Sequence, residues 1–71
     1  MSNIREKVQA RIQLTLNDIE QRVRRQEHLT NSEPILDLLS DVEGLWSFLD
    51  EDDREFIGAV RFAVRTKVRW D

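Results

Sequence analysis

The chain has 71 residues, no cysteine, and eleven Lys plus Arg against fourteen Asp plus Glu, a formal charge of −3. A chain of that length makes one domain at most and hides only about 60% of the surface its unfolded form exposes. The missing cysteines exclude a disulfide framework and a thiolate zinc site, and the negative balance argues against general affinity for nucleic acid, which rests on neutralising phosphates.

The opening "MSNIREKVQA" turns charged at once, without the apolar core of a secretory signal. No run approaches the roughly 18 apolar residues of a membrane span, so a cytoplasmic protein with no membrane partner is expected. Charge is uneven along the chain: residues 1–28 hold six bases and four acids, 29–49 none and four, 50–71 five and six.

In the first segment Ile4, Val8, Ile12, Leu16, Ile19 and Val23 recur at steps of four or three, one stripe on a helix of 3.6 residues per turn. Asn3 followed by Glu6 has the form of a capping box, and the spacing predicts a helix over 4–26. "HLTNSEP" ends it, with turn and cap residues at Thr30, Asn31 and Ser32 and a proline suited to a first helical turn. Ile35, Leu38, Leu39, Val42, Leu45, Trp46 and Leu49 then predict a second helix over 34–48. Gly44 is its weak point, since glycine costs about 1 kcal/mol inside a helix, and the helix is expected to end or bend there.

Asp50 suits an N-cap, and Glu51, Asp52 and Asp53 fall in a first turn, where carboxylates meet unpaired N–H groups and the positive end of the helix dipole. Phe56, Ile57, Val60, Ala63, Val64 and Val68 line one face of this third helix, expected over 51–69, and Arg65, Lys67 and Arg69 sit at the end that favours cations. Hairpin turn chemistry and period-two alternation are both missing. The expectation is an all-α chain, one helical domain over 1–71. It is a three-helix bundle or a long helix plus a helical hairpin, with the second and third helices antiparallel.

No catalytic residue, cofactor-binding residue or metal ligand is singled out. Asp37 and Asp41 lie one turn apart, as two carboxylates on a solvated helix face do. "DEDD" lacks the alternating ligands, the glycine and the closing glutamate of a calcium loop. His28 falls at the end of the first helix, where a cation is favoured. Gly44 and Gly58 stand singly, so no glycine-rich phosphate loop exists. An enzyme is not expected.

What remains is surface. Leu14, Leu36, Phe48 and Phe62 lie off the apolar stripes. Arg54, Gly58, Arg61, Arg65 and Arg69 share one face of the third helix, with Phe62 beside them and Trp70 at the end. Arginine and aromatic residues are enriched at interfaces between proteins. Arg54, Arg61, Phe62, Arg65, Arg69 and Trp70 are therefore the expected contacts to a protein partner. The other reading of Arg61 and its neighbours, placed ahead of a partner, is a solvated face or one paired inside the chain by salt bridges to Asp37, Asp41 or Glu43. The same cations with Lys67 are phosphate contacts in a nucleic-acid reading, disfavoured by the acids that open the helix.

The first helix gives an independent reason to expect association, because two shorter helices cannot cover all of it. A homodimer through Val8, Ile12, Leu14 and Ile19 is expected, and the eleven-residue repeats Val8–Ile19 and Ile12–Val23 favour near-straight packing. A self-assembling structural component is the remaining alternative.

"LWSFLDEDDREFIGAVRFAVR", Leu45 to Arg65, resembles the C-terminal part of small helical proteins of cyanophages and marine cyanobacteria. These carry a Trp, a Leu, an acidic run, then Arg or Lys, an aromatic, Ile and Ala at similar spacing. The resemblance implies a virus-type accessory protein acting on a host component, a regulator or inhibitor, and brings no catalytic residue.

Overall fold

The computed structural model describes residues 3–71, and within them there are three α-helices, two single 3₁₀ turns and no strand. Helix α1 runs Asn3–Arg24, α2 Glu33–Glu43 and α3 Glu51–Thr66. The all-α expectation holds; the helix ends differ from those expected, for local reasons.

α1 stops two residues early because Gln26 takes the left-handed conformation, φ 62°, and a 3₁₀ turn over Glu27–Leu29 follows. A side chain in that region normally costs about 1 to 2 kcal/mol. Gln26 offsets it through its amide, which donates to the Trp70 carbonyl at 2.7 Å and accepts from the Trp70 N–H at 2.9 Å. Asn3 lies in the helix rather than ahead of it, and the two residues that precede it are outside the described ones.

Before α2, Asn31 rather than Ser32 does the capping: its Oδ1 accepts from the Glu33 N–H at 3.1 Å, and Pro34 sits in the first turn. The helix ends before Gly44, and a 3₁₀ turn over Trp46–Phe48 replaces the last turn expected. α3 begins as expected, with the Asp50 carboxylate accepting from the Asp53 N–H at 2.9 Å. Asp50→Ala leaves that donor unpaired and is expected to lower stability by about 1 kcal/mol in a thermal melt; an unchanged melting temperature would show the cap to be redundant. The far end comes three residues early, at the left-handed Lys67, φ 56°.

One apolar cluster joins all three helices. It contains Ile12, Leu16, Ile19 and Val23 of α1, Ile35, Leu39 and Val42 of α2, Leu49, and Ile57, Val60 and Val64 of α3. These are the expected stripes except for Ile4, Trp46 and Val68, which lie exposed at or beyond the helix ends, and burial of the cluster is the main favourable term in folding. Val8, Leu38, Leu45, Phe56 and Trp70 widen the cluster at its edges. Arg11 near the start of α1 reaches Asp41 near the end of α2, 3.1 Å away, so those helices run antiparallel. Among the described residues their backbones share the most extensive contact of any two elements. α3 lies parallel to α1: Asp53 and Phe56 line a groove with Gln13 to Glu20, and Val68 lies against the 3₁₀ turn that follows α1. The order is up, down, up, which leaves α2 and α3 antiparallel.

The molecule measures 43 × 19 × 18 Å, long because α1 extends past its neighbours. Asn3 to Lys7 are exposed, Ile4 among them. Val8 is half-buried, while Ile12 and Ile19 are 2% and 0% exposed. Two of the residues expected to pair copies of the chain are therefore used inside a single copy. The eleven-residue spacing reflects α1 packing along α2 and α3.

His28 is also repositioned. It is a buried side chain in the 3₁₀ turn that follows α1, and its Nε2 lies 2.6 Å from the Val68 carbonyl. A carbonyl only accepts, so Nε2 carries the hydrogen and donates. Nδ1 has no hydrogen-bond partner among the described residues.

Candidate interaction surface on the third helix

α3 turns Ile57, Val60, Ala63 and Val64 inward. At 100° per residue the line opposite carries Glu51, Glu55, Gly58, Phe62 and Arg65, at steps of four and three. All five are exposed. The six residues expected to bind a partner divide about this line.

Three of them are engaged inside the chain. The Arg54 guanidinium stands 5.3 Å from the Trp46 ring centroid and donates to the Trp46 carbonyl at 3.0 Å, a cation–π contact that fastens the second 3₁₀ turn to α3. Arg61 makes a two-pronged salt bridge with Glu43 across α2 and α3. This pair is partly exposed, which limits it to about 1 kcal/mol, but it takes Arg61 out of the free stripe. Trp70 folds back, half-buried, its ring edge-on to Phe56 at 5.8 Å and its backbone held by Gln26. Trp70 closes the end of the core and does not extend the outer face.

The other three remain outside. Phe62 is 62% exposed. Arg65 and Arg69 are exposed and have no acidic partner among the described residues, and the same is true of Lys67. α1 treats its arginines differently: Asp18 with Arg22 and Glu20 with Arg24 form bonded pairs one turn apart, and Asp18 holds the Arg22 guanidinium above its ordinary range. On the outer line of α3 the exposed charges are segregated, Glu51 and Glu55 first and Arg65 last. The helix dipole favours that order, but Glu51 with Glu55, and Arg61 with Arg65, are like charges one turn apart, which an isolated helix disfavours.

Glu51, Glu55 and Gly58 are the parts of this surface not among the expected contacts. A Cβ added to Gly58 would meet nothing within 4 Å, and the backbone there is ordinary helix. Neither internal packing nor conformation accounts for a glycine that costs about 1 kcal/mol relative to alanine. Its spacing from Phe62, one turn, is the signal that was present in the sequence. Beside it, Ala59 keeps the surface low next to the projecting Phe62.

Other exposed apolar side chains are dispersed. Leu14 is 72% exposed at the rim of a groove of about 430 Å³ between α1 and α3, lined by Gln13, Leu16, Asn17, Glu20, Asp53 and Phe56 as well. Burial there, with the Asp50 carboxylate nearby, raises the Asp53 pKa above the usual carboxylate value. Leu36 and Phe48 lie on separate elements, as expected for apolar residues off the stripes.

Among the described residues no group of three or more His, Cys, Asp or Glu is placed to hold a metal ion, and no helix is long and apolar enough to cross a membrane. No family model matches the chain, nor does any curated protein or solved structure.

Proposed function

We propose that the chain is a small non-enzymatic protein-interaction module, and that its docking surface is the outer face of α3. The observation that carries this is Phe62, 62% exposed, projecting next to the bare backbone of Gly58 with the unpaired Arg65 and Arg69 beyond it. An aromatic anchor beside a shallow hollow, bordered by arginine, is the composition that concentrates binding energy at interfaces between proteins. The mechanism is occupancy: the module covers a partner's surface and thereby regulates or inhibits it. The resemblance of Leu45 to Arg65 to phage-borne proteins extends the proposal to a partner supplied by a host cell.

A photoreactive phenylalanine analogue at position 62, illuminated in lysate of the native cells, is expected to give a discrete protein adduct that survives nuclease and disappears with Arg65→Glu. The same analogue at Leu14, exposed on a different helix, is the control. Failure to label any protein from position 62, or equal labelling from both positions, removes the α3 face from the account.

A nucleic-acid reading draws on one observation, the absence of acidic partners for Arg65, Lys67 and Arg69 among the described residues. It ranks second because Glu51, Asp52 and Glu55 open the helix that leads to these bases and the total charge is −3. Sensitivity of the adduct to nuclease would reverse that ranking.

A further inference from the structure

The outer line of α3 is complementary to itself. Glu51, Glu55, Gly58, Phe62 and Arg65 are exposed, and their steps of four and three are those of a helix seam, averaging 3.5 residues. Lay a second α3 antiparallel across the first with the two-fold axis at the level of Val60. Position 58 then faces 62, and 55 faces 65. Phe62 of each copy covers the bare backbone of Gly58 in the other, and Glu55 of each meets Arg65 of the other. Glu51 comes toward the segment past the helix end that carries Arg69.

We infer that the α3 face docks a second copy of this chain, as an antiparallel two-fold pair of α3 helices. The inference rests on the reading of this face as a docking surface and names what fills it when no other protein is bound. Three independent features coincide in one register. An exposed aromatic lies opposite a glycine with open space around it. An acidic half lies opposite a basic half. Glu55 and Arg65 both lack intramolecular ion-pair partners among the described residues. A two-fold axis requires this kind of pattern, because each residue i that meets j must also be met as j by i. Of the like charges one turn apart along each helix, Glu51 and Glu55 come opposite Arg69 and Arg65 across the pair, while Arg61 stays with Glu43 of its own copy. Since the seam lies opposite the core, α1 and α2 stay clear of the contact.

The expected association is reversible, because one pair of short helices lies at the small end of stable interfaces. In sedimentation equilibrium from about 5 μM to 1 mM, the wild-type chain is expected to pass from monomer to dimer, less readily as salt is raised. Glu55→Arg puts two arginines opposite each other, and Arg65→Glu two glutamates. Either variant alone is expected to weaken dimerisation at least about tenfold. An equimolar mixture of the two restores both pairs in a heterodimer and is expected to recover association to within about threefold of wild type. Gly58→Gln fills the space that receives Phe62, so it is expected to stay folded and remain monomeric.

A chain that stays monomeric at about 1 mM overturns the inference, as does a dimer that ignores all of these substitutions. If the monomer still cross-links from position 62 to a different protein, self-docking fails and the docking face stands. If it cross-links to nothing, both fail.

Discussion

Leu39→Ala is expected to lower the stability of the chain by about 3 to 4 kcal/mol, the range found when a fully enclosed leucine loses its side chain and the surroundings relax only in part. Leu39 is 0% exposed in the middle of α2, the helix that shares the most extensive contact with α1. A 71-residue domain has a total stability of roughly 4 to 11 kcal/mol, so the loss takes about a quarter of it or more. Leu36→Ala, three positions earlier on the same helix, removes a side chain that is 40% exposed and is expected to change stability by no more than about 0.5 kcal/mol. The pair isolates burial, since helix and substitution chemistry are the same. Urea unfolding reads it as a fall in midpoint with unchanged slope for Leu39→Ala alone. Equal effects would mean that α2 does not sit on the core with the face described.

The inward faces were legible because periodicity is local information. Ile12, Leu16, Ile19 and Val23, then Ile35, Leu39 and Val42, then Ile57, Val60, Ala63 and Val64 each repeat with the period of a helix, and each set is buried as a set. Helix ends were less legible. α1 and α3 both stop at a left-handed residue that is neither glycine nor asparagine. Gln26 is held there by bonds to a residue 44 positions away, and no local propensity encodes such a partner.

The same distinction runs through the arginines of α3. Their spacing put Arg54, Arg61, Arg65 and Arg69 near one another, but spacing cannot distinguish a free guanidinium from an engaged one. Arg61 found Glu43, one of three acids within its reach, and Arg54 found Trp46 through a 3₁₀ turn that replaced helix. What remained free lies past the reach of α2, and Phe62 with Gly58 falls on that side. Helix 1 shows the converse. Its apolar residues read as a surplus that needed a second copy, yet Ile12 and Ile19 are used by α2 and α3 because the three helices lie side by side in an up, down, up order.

Removing the His28 ring is the second large effect expected. His28→Ala should cost about 3 kcal/mol, part from the cavity left by a side chain that is 1% exposed and part from the lost bond to the Val68 carbonyl. The ring also has a positional role. Val68 and Trp70 lie beyond the end of α3, where His28 and Gln26 bond their backbones, the Val68 N–H returns to the Ala63 carbonyl at 3.3 Å, and the Trp70 ring packs edge-on to Phe56. His28→Gln keeps a donor while shedding part of the volume, so it should recover about half of the loss. Hydrogen exchange at the Trp70 amide separates fastening from filling. If His28 fastens the tail, that amide becomes unprotected in His28→Ala under conditions where Leu39 in the core still exchanges slowly, and His28→Gln restores it. Continued protection at Trp70 in His28→Ala would assign the fastening to Gln26 and the other contacts of the tail and reduce His28 to a filler of space between the 3₁₀ turn and α3.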